Sequence, residues 1–340
     1  MLDRRCRPGI RCRGVWIAAA VFVTIFGSGS IVRAQSCVTQ AQMPAPERDA
    51  LAGVAKKMTA DVLAGDAGAL RSSSTAELQG DFAGVAQAVT GLHDIQGGTV
   101  TVRNLYLLDN STAQKGDDVA QFFCGAYNTP QHVTFTLPGL KAARYAVAVV
   151  HVTGTESPRQ LSYVLQDLNG WKLAGFIAKP LQQGEHDGTW YWQRARELVA
   201  KHELWNAELC FQIAKQLLTP VGFLSSANLE KLVSEQQAAQ PGDWPTELRP
   251  LVLTADGKQV KVVEVAPLIS QRNTADLSLS VVAHPEDAAD ASTASARNQA
   301  IAKELVRKIP ELREMFTLMV VSSGSQGEPQ TTVVSLKTMQ

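Results

Sequence analysis

Four side chains in the middle of this 340-residue chain have the chemistry for proton transfer: Tyr145, His151, Tyr163 and Asp167. They fall on two alternating runs, Arg144–Thr153 and Leu161–Leu168, that read as neighbouring strands. Tyr145, Val147, Val149 and His151 share one face of the first run. Leu161, Tyr163, Leu165 and Asp167 share one face of the second. If those faces lie on the same side of a sheet, the four groups converge as an acid/base pocket requires.

Other catalytic patterns fail on spacing. The six histidines stand at 93, 132, 151, 186, 202 and 284, with no pair four residues apart. His202-Glu203 begins like a zinc-protease helix motif, but Asn206 occupies the place of the second ligand. Gly324-Ser325-Gln326-Gly327 lacks the spacing of a strained nucleophile elbow and reads as a turn between two strands. No glycine-rich phosphate loop is present. The sequence therefore implies no metal site and no cofactor. A non-enzymatic binding or scaffolding protein is the leading expectation, with an enzyme using the four pocket groups as the alternative.

The elements that must position these residues change period along the chain. Residues 35–46 are polar, carry Pro44 and Pro46, and read as a tether. From Glu47, Leu51, Val54, Ala55, Met58 and Val62 recur at helical spacing, and Gly65 ends the helix. Shorter helices are predicted over Ala67–Leu78 and Asp81–Thr90. From Gly97 the pattern alternates, giving strands at Val100–Leu108, Val119–Tyr127, His132–Leu137, Arg144–Thr153, Leu161–Leu168 and Trp171–Ala178. Turns fall at Asn128-Thr129-Pro130 and, most clearly, at Asn169-Gly170, a strong hairpin signal.

Helices first, then antiparallel strands ending in Trp171-Lys172-Leu173-Ala174-Gly175-Phe176, resemble a nuclear-transport-factor-2-like domain over residues 47–180. The resemblance implies three helices against a curved sheet, a cone with a pocket between them that would take a small apolar ligand. Some members of that family are isomerases or dehydratases, and many bind without chemistry. Members that move protons on steroid-like ketones use a tyrosine on the first helix, and Glu47–Ala64 has none.

Residues 187–236 return to helical spacing and resemble a single tetratricopeptide-like helix pair over about 187–220. That likeness rests on Tyr191, Ala195, Leu198, Leu204, Ala207, Phe211, Ala214 and Pro220. Arg194 stands where leucine is usual, and one extra residue precedes Pro220. A lone repeat does not make a solenoid, so a helical hairpin is expected. Residues 237–250, with Pro241-Gly242-Asp243-Trp244-Pro245, read as a linker. Residues 251–340 read as a small domain of strands, helix and strands, with a hairpin at Asp256-Gly257. The fold class is therefore α+β.

Residues 1–34 read as an export signal: Arg4, Arg5, Arg7, Arg11 and Arg13, a short apolar run from Trp16 to Phe26, and Val32-Arg33-Ala34 before the cleavage point. Periplasmic or secreted localisation follows, with an uncleaved anchor or a lipidated Cys37 as alternatives. The chain has 32 basic and 32 acidic residues. Residues 1–34 hold six Arg and one Asp, so residues 35–340 carry 26 basic and 31 acidic groups, a net of −5. That sign argues against nucleic acid as a partner.

Cys37, Cys124 and Cys210 remain after the signal; Cys124 with Cys210 is one candidate disulfide among three pairings. Trp190, Tyr191 and Trp192 form the densest aromatic cluster and would suit a ligand or partner if exposed. The runs Ala146, Ala148, Val150 and Val147, Val149 make both faces of the sheet apolar. The outer face must then be covered, by a second copy of the chain or by its own later elements. Asn110-Ser111-Thr112 matches a glycosylation acceptor.

Overall fold

The computed structural model describes residues 35–114, 118–126, 129, 131–269, 275–282, 291–324 and 329–339. Residues 1–34, read above as an export signal, together with His284, the Ser325–Gly327 part of the Gly-Ser turn, and Tyr127, Asn128 and Pro130, lie outside the described residues. The fold is α+β, with several antiparallel sheets.

Residues 36–39 form strand β1 (Ser36–Thr39) rather than part of a tether. Helix α1 (Ala45–Leu63) follows, opened by Pro44 and Pro46, with Glu47 in the first turn against the helix dipole. Its buried stripe is Leu51, Ala55, Met58, Thr59 and Val62. Gly65, at φ +69, supplies the left-handed residue that stops it. The predicted second helix divides into α2 (Ala67–Ser72) and α3 (Ala76–Gly80). The break has a non-local cause: Leu173 donates to the Ser73 carbonyl and Thr75 donates to the Leu173 carbonyl. Helix α4 (Ala83–Thr90) completes the helical layer.

Strands β2 (Thr99–Asp109), β3 (Val119–Cys124), β4 (Val133–Pro138), β5 (Arg144–Thr153), β6 (Arg159–Asp167) and β7 (Trp171–Pro180) follow. They are not one run of consecutive neighbours. The main sheet has the order β1-β2-β5-β6-β7, all antiparallel. β3 and β4 leave it and join a second sheet. The β6–β7 turn is built on Asn169 at φ +57 and Gly170 at φ +131. One face of the main sheet packs on α1, α2 and α4 through Leu51, Leu70, Val85, Ala148, Leu161 and Tyr163.

After β8 (Gln182–Gln183) and β9 (His186–Asp187), which form a two-stranded hairpin, come α5 (Gly188–Ala200), α6 (Leu204–Leu218), β10 (Leu224–Ser226) and α7 (Ala227–Ala239). β10 completes the second sheet, β10-β4-β3. Phe122 and Phe135 on that sheet, with Val221 and Leu229, cover Tyr106, Val147 and Val149 on the outer face of the main sheet. The chain's own elements therefore occupy the face expected to serve a homodimer. Both faces of β5 are apolar because both are interior.

The last sheet, β11 (Leu251–Ala255), β12 (Lys258–Leu268), β13 (Asp276–Val282), β14 (Leu318–Gly324) and β15 (Gln330–Ser335), runs in sequence order. β13 and β14 are parallel, and helix α8 (Ala291–Lys308), followed by the short α9 (Leu312–Met315), makes the crossover between them. Tyr191, Phe211 and Leu232 of the helices share one core with Val262, Leu279, Ile301 and Val321. Residues 237–250 do not separate two cores. Trp244 is buried against Trp205, ring centroids 4.7 Å apart, and Trp205 Nε1 donates to Asp243 Oδ1 at 3.0 Å.

Among the described residues, no helix is long and apolar enough to cross a membrane. Asn110 is buried, and its Nδ2 donates to the Leu140 and Lys141 carbonyls, both at 3.1 Å. The nitrogen that glycosylation would need is already engaged inside the fold.

Candidate functional site

The four proton-transfer candidates do not converge. In the β5–β6 register Tyr145 lies opposite Gln166, His151 opposite Gln160, and Tyr163 opposite Ala148. Directly opposed residues share a face, so Tyr145 and His151 belong to the outer face. Tyr163 and Asp167 belong to the helix-facing one. Alternation along each strand was read correctly; the register between them placed the two sets on opposite sides.

Each of the four has a structural role. Tyr163 is fully buried, its hydroxyl 2.9 Å from Thr59 Oγ1, which itself donates to the Ala55 carbonyl at 2.8 Å. Burial pushes the Tyr163 phenol well above its ordinary pKa. With Leu51, Met58, Leu70 and Leu161 it fills the interior where an apolar ligand cavity was expected. Asp167 accepts from Arg144 at 3.4 Å, and Arg144 also bonds Glu47 and sits 5.9 Å from the Trp171 ring. Tyr145 donates to the Lys141 carbonyl at 3.2 Å.

His151 is half-buried with Nε2 3.2 Å from Gln160 Oε1. Desolvation, with a smaller contribution from Arg103, lowers its pKa below 6.5. The unfolded chain therefore takes up this proton first as pH falls. The stability contributed by neutral His151 is complete above the ordinary histidine pKa and declines below it. His151→Gln is expected to flatten that part of the urea-midpoint profile; an unchanged profile would contradict the assignment.

The aromatic cluster is also committed internally. Tyr191 is buried and donates to the Gln183 carbonyl at 2.9 Å. Trp190 stacks on His186 with centroids 3.6 Å apart. Trp192 Nε1 donates to Glu235 Oε2 at 2.8 Å, while the Arg196 guanidinium lies 4.4 Å from the Trp192 ring and forks onto the same carboxylate. These contacts staple α5 to α7. Tyr191 is interior, and Trp190 and Trp192 are half-buried with part of their surface spent on contacts within the chain.

Cys124 is bonded to Cys37, with Cα atoms 5.0 Å apart, and not to Cys210. β1 lies along β2 while β3 crosses above, which brings the two cysteines together; Cys210 sits on α6 in a different core. The Cys37 sulfur is thereby unavailable to a lipid. Burial pushes the free Cys210 thiol up to about 12. The thiolate is the reactive form, so Cys210 is expected to stay unlabelled by a disulfide reagent at mildly alkaline pH until urea unfolds the chain. Rapid native labelling would contradict this burial.

A cleft lies beside that disulfide. It encloses about 900 Å³ between the Thr39–Gln42 turn and Arg48, the Arg103–Tyr106 stretch of β2, the β3–β4 loop at Gly125, Ala126, Thr129 and Gln131, and Ser226. Cys37 stands two residues before one wall and Cys124 one residue before the opposite wall. The covalent bond therefore fixes the spacing of the walls. Gly125 makes the second wall possible: its φ is +83, and a Cβ there would meet the Gln131 carbonyl oxygen at 2.9 Å.

No family model, curated protein or solved structure matches the chain. The cleft must be read from its own chemistry.

Among the described residues, its lining includes two guanidiniums, Arg48 and Arg103, several amides and hydroxyls, and no carboxylate. Arg48 is paired with the exposed Asp49 at 3.2 Å, outside the lining. Gln40 Oε1 is buried without a hydrogen-bond partner. Among the described residues, no three His, Cys, Asp or Glu side chains gather as metal ligands would. The cleft thus combines apolar lining from Leu105, Tyr106 and Val133 with side-chain donors and two cations. Arg103 escaped sequence reasoning because a single arginine looks like ordinary surface. The signal was the polar pair Arg103-Asn104 interrupting a strict alternation, which is where β2 bulges between Val102 and Asn104.

Proposed function

We propose that the protein is an exported, non-enzymatic binding or scaffolding protein of the cell envelope, and that its Arg48–Arg103 cleft takes a polar, anionic ligand. The observation that carries this reading is a cleft of about 900 Å³ with two arginines and, among the described residues, no acidic side chain in its lining, on a chain whose residues 35–340 are net −5. A local reversal of charge sign on an acidic protein is what an anion site requires, because opposite potentials steer and hold the ligand. Export to the periplasm or beyond is supported by the arginine-led first segment and by a disulfide, which persists in oxidising compartments. Kinship of residues 47–180 with the nuclear-transport-factor-2-like domains is part of the same proposal. It is supported by helices preceding a sheet that closes in the Trp171–Pro180 strand. The ligand site would then lie outside that family's interior pocket, here filled by Tyr163 and its neighbours.

Calorimetric titration with triglutamate tests the reading, with trilysine as the control. Triglutamate is expected to bind and to weaken at high salt, and the Arg48→Glu/Arg103→Glu variant is expected to lose about tenfold or more in affinity. Equal binding of the two tripeptides, or triglutamate binding untouched by the charge reversal, would defeat it.

A further inference from the structure

The anion cleft borders an unpaired stretch of sheet. β2 runs eleven residues. On one side β5 pairs with it from Thr99 to Asp109; on the other, β1 pairs only with Tyr106–Asp109. Thr99–Leu105 therefore presents backbone donors and acceptors with no strand partner among the described residues, which makes it a template for another chain. Thr99, Thr101, Arg103 and Asn104 on this stretch are exposed. Arg103, Asn104 and Leu105 also line the cleft.

A bulge and a charge are the usual protection of such an edge, and Arg103 supplies the charge at the bulge. That protection depends on the sign of the incoming chain. A neutral or basic strand would have to desolvate or approach a guanidinium, whereas an acidic strand would meet one suited to a two-point bond with a carboxylate. Arg48, also in the lining of the cleft, adds a second such group.

We propose that the occupant of this site is an extended peptide segment bearing acidic side chains, which adds to β2 beyond the end of β1. The proposal rests on the reading of the cleft as an anion site. Main-chain pairing would supply affinity, and the two arginines would select charge, the division of labour seen in strand addition generally. The unpaired stretch spans about 23 Å at a strand rise of ~3.3 Å per residue, which suits a segment of about seven residues.

The test uses the purified protein and a heptapeptide alternating Glu with Thr. Two further versions are N-methylated, one at the odd and one at the even backbone nitrogens. Alternate N–H groups of a strand point to opposite edges, so only one methylation set meets β2. That version is expected to lose about tenfold or more in affinity, while its counterpart stays near the parent, given the worth of the lost hydrogen bonds. If the two methylated versions behave alike, whether both bind or both fail, strand pairing is overturned. If triglutamate binds and the heptapeptide does not, strand pairing is again overturned and the anion cleft stands. If neither binds, both readings fall.

Discussion

Cys124→Ser is expected to lower the unfolding free energy by about 3–5 kcal/mol, and full reduction of the wild-type protein should cost the same amount. The bridge joins residues 87 apart in sequence. Closing a loop of that size removes much of the entropy of the unfolded chain. The native cost of losing the bridge falls on β1, which has only four paired residues on the edge of the sheet. Cys37→Ser should match Cys124→Ser, and combining the two should add nothing, because either one removes the same bond. Urea midpoints of the three variants check this. A loss below about 1 kcal/mol, or additive losses in the double variant, would show that the bridge does not carry the load assigned to it.

Asp94→Ala should be nearly as damaging, at about 3 kcal/mol. Arg159 opens β6 with a side chain only 5% exposed, and its Nη2 donates to Asp94 Oδ2 at 2.9 Å. Removing the carboxylate leaves a buried guanidinium unpaired, which costs more than the pair itself contributes. Arg159 also borders a crevice of about 460 Å³ beside Gly84 and Leu92. Water entering there would soften the penalty and places the figure at the low end of the range for buried pairs. The combined replacement Asp94→Leu/Arg159→Met should recover most of the loss, since neither buried charge remains. A double variant less stable than Asp94→Ala would contradict this account of the pair.

Much of the fold was legible because local signals agreed with one another. Arg144–Thr153 was read with the bounds the structure has, and Asn169-Gly170 marks the turn between β6 and β7. The features that escaped depend on contacts far apart in sequence. The helix break at Ser73–Thr75 is made by Leu173. The Cys37–Cys124 pair requires β3 to fold back over the sheet, which no spacing within β3 announces. Phe122 and Phe135 hide the outer face, and their alternation on β3 and β4 fits a central strand as well as a covering one. The clearest case is the split of Tyr145 and His151 from Tyr163 and Asp167. A one-residue change of register exchanges the faces of a strand, and the β5–β6 register, continuous from Tyr145 opposite Gln166 to Val152 opposite Arg159, is set by the connection between the two strands.

Hydrogen exchange read by mass spectrometry, with and without saturating triglutamate, tests the central claim most directly. Slower exchange is expected at the Thr39–Gln42 turn, at Arg103–Tyr106 and around Gly125, with Thr59 and Tyr163 unchanged. Protection confined to α1 and β6 would instead place the ligand inside the helix–sheet layer and contradict the cleft.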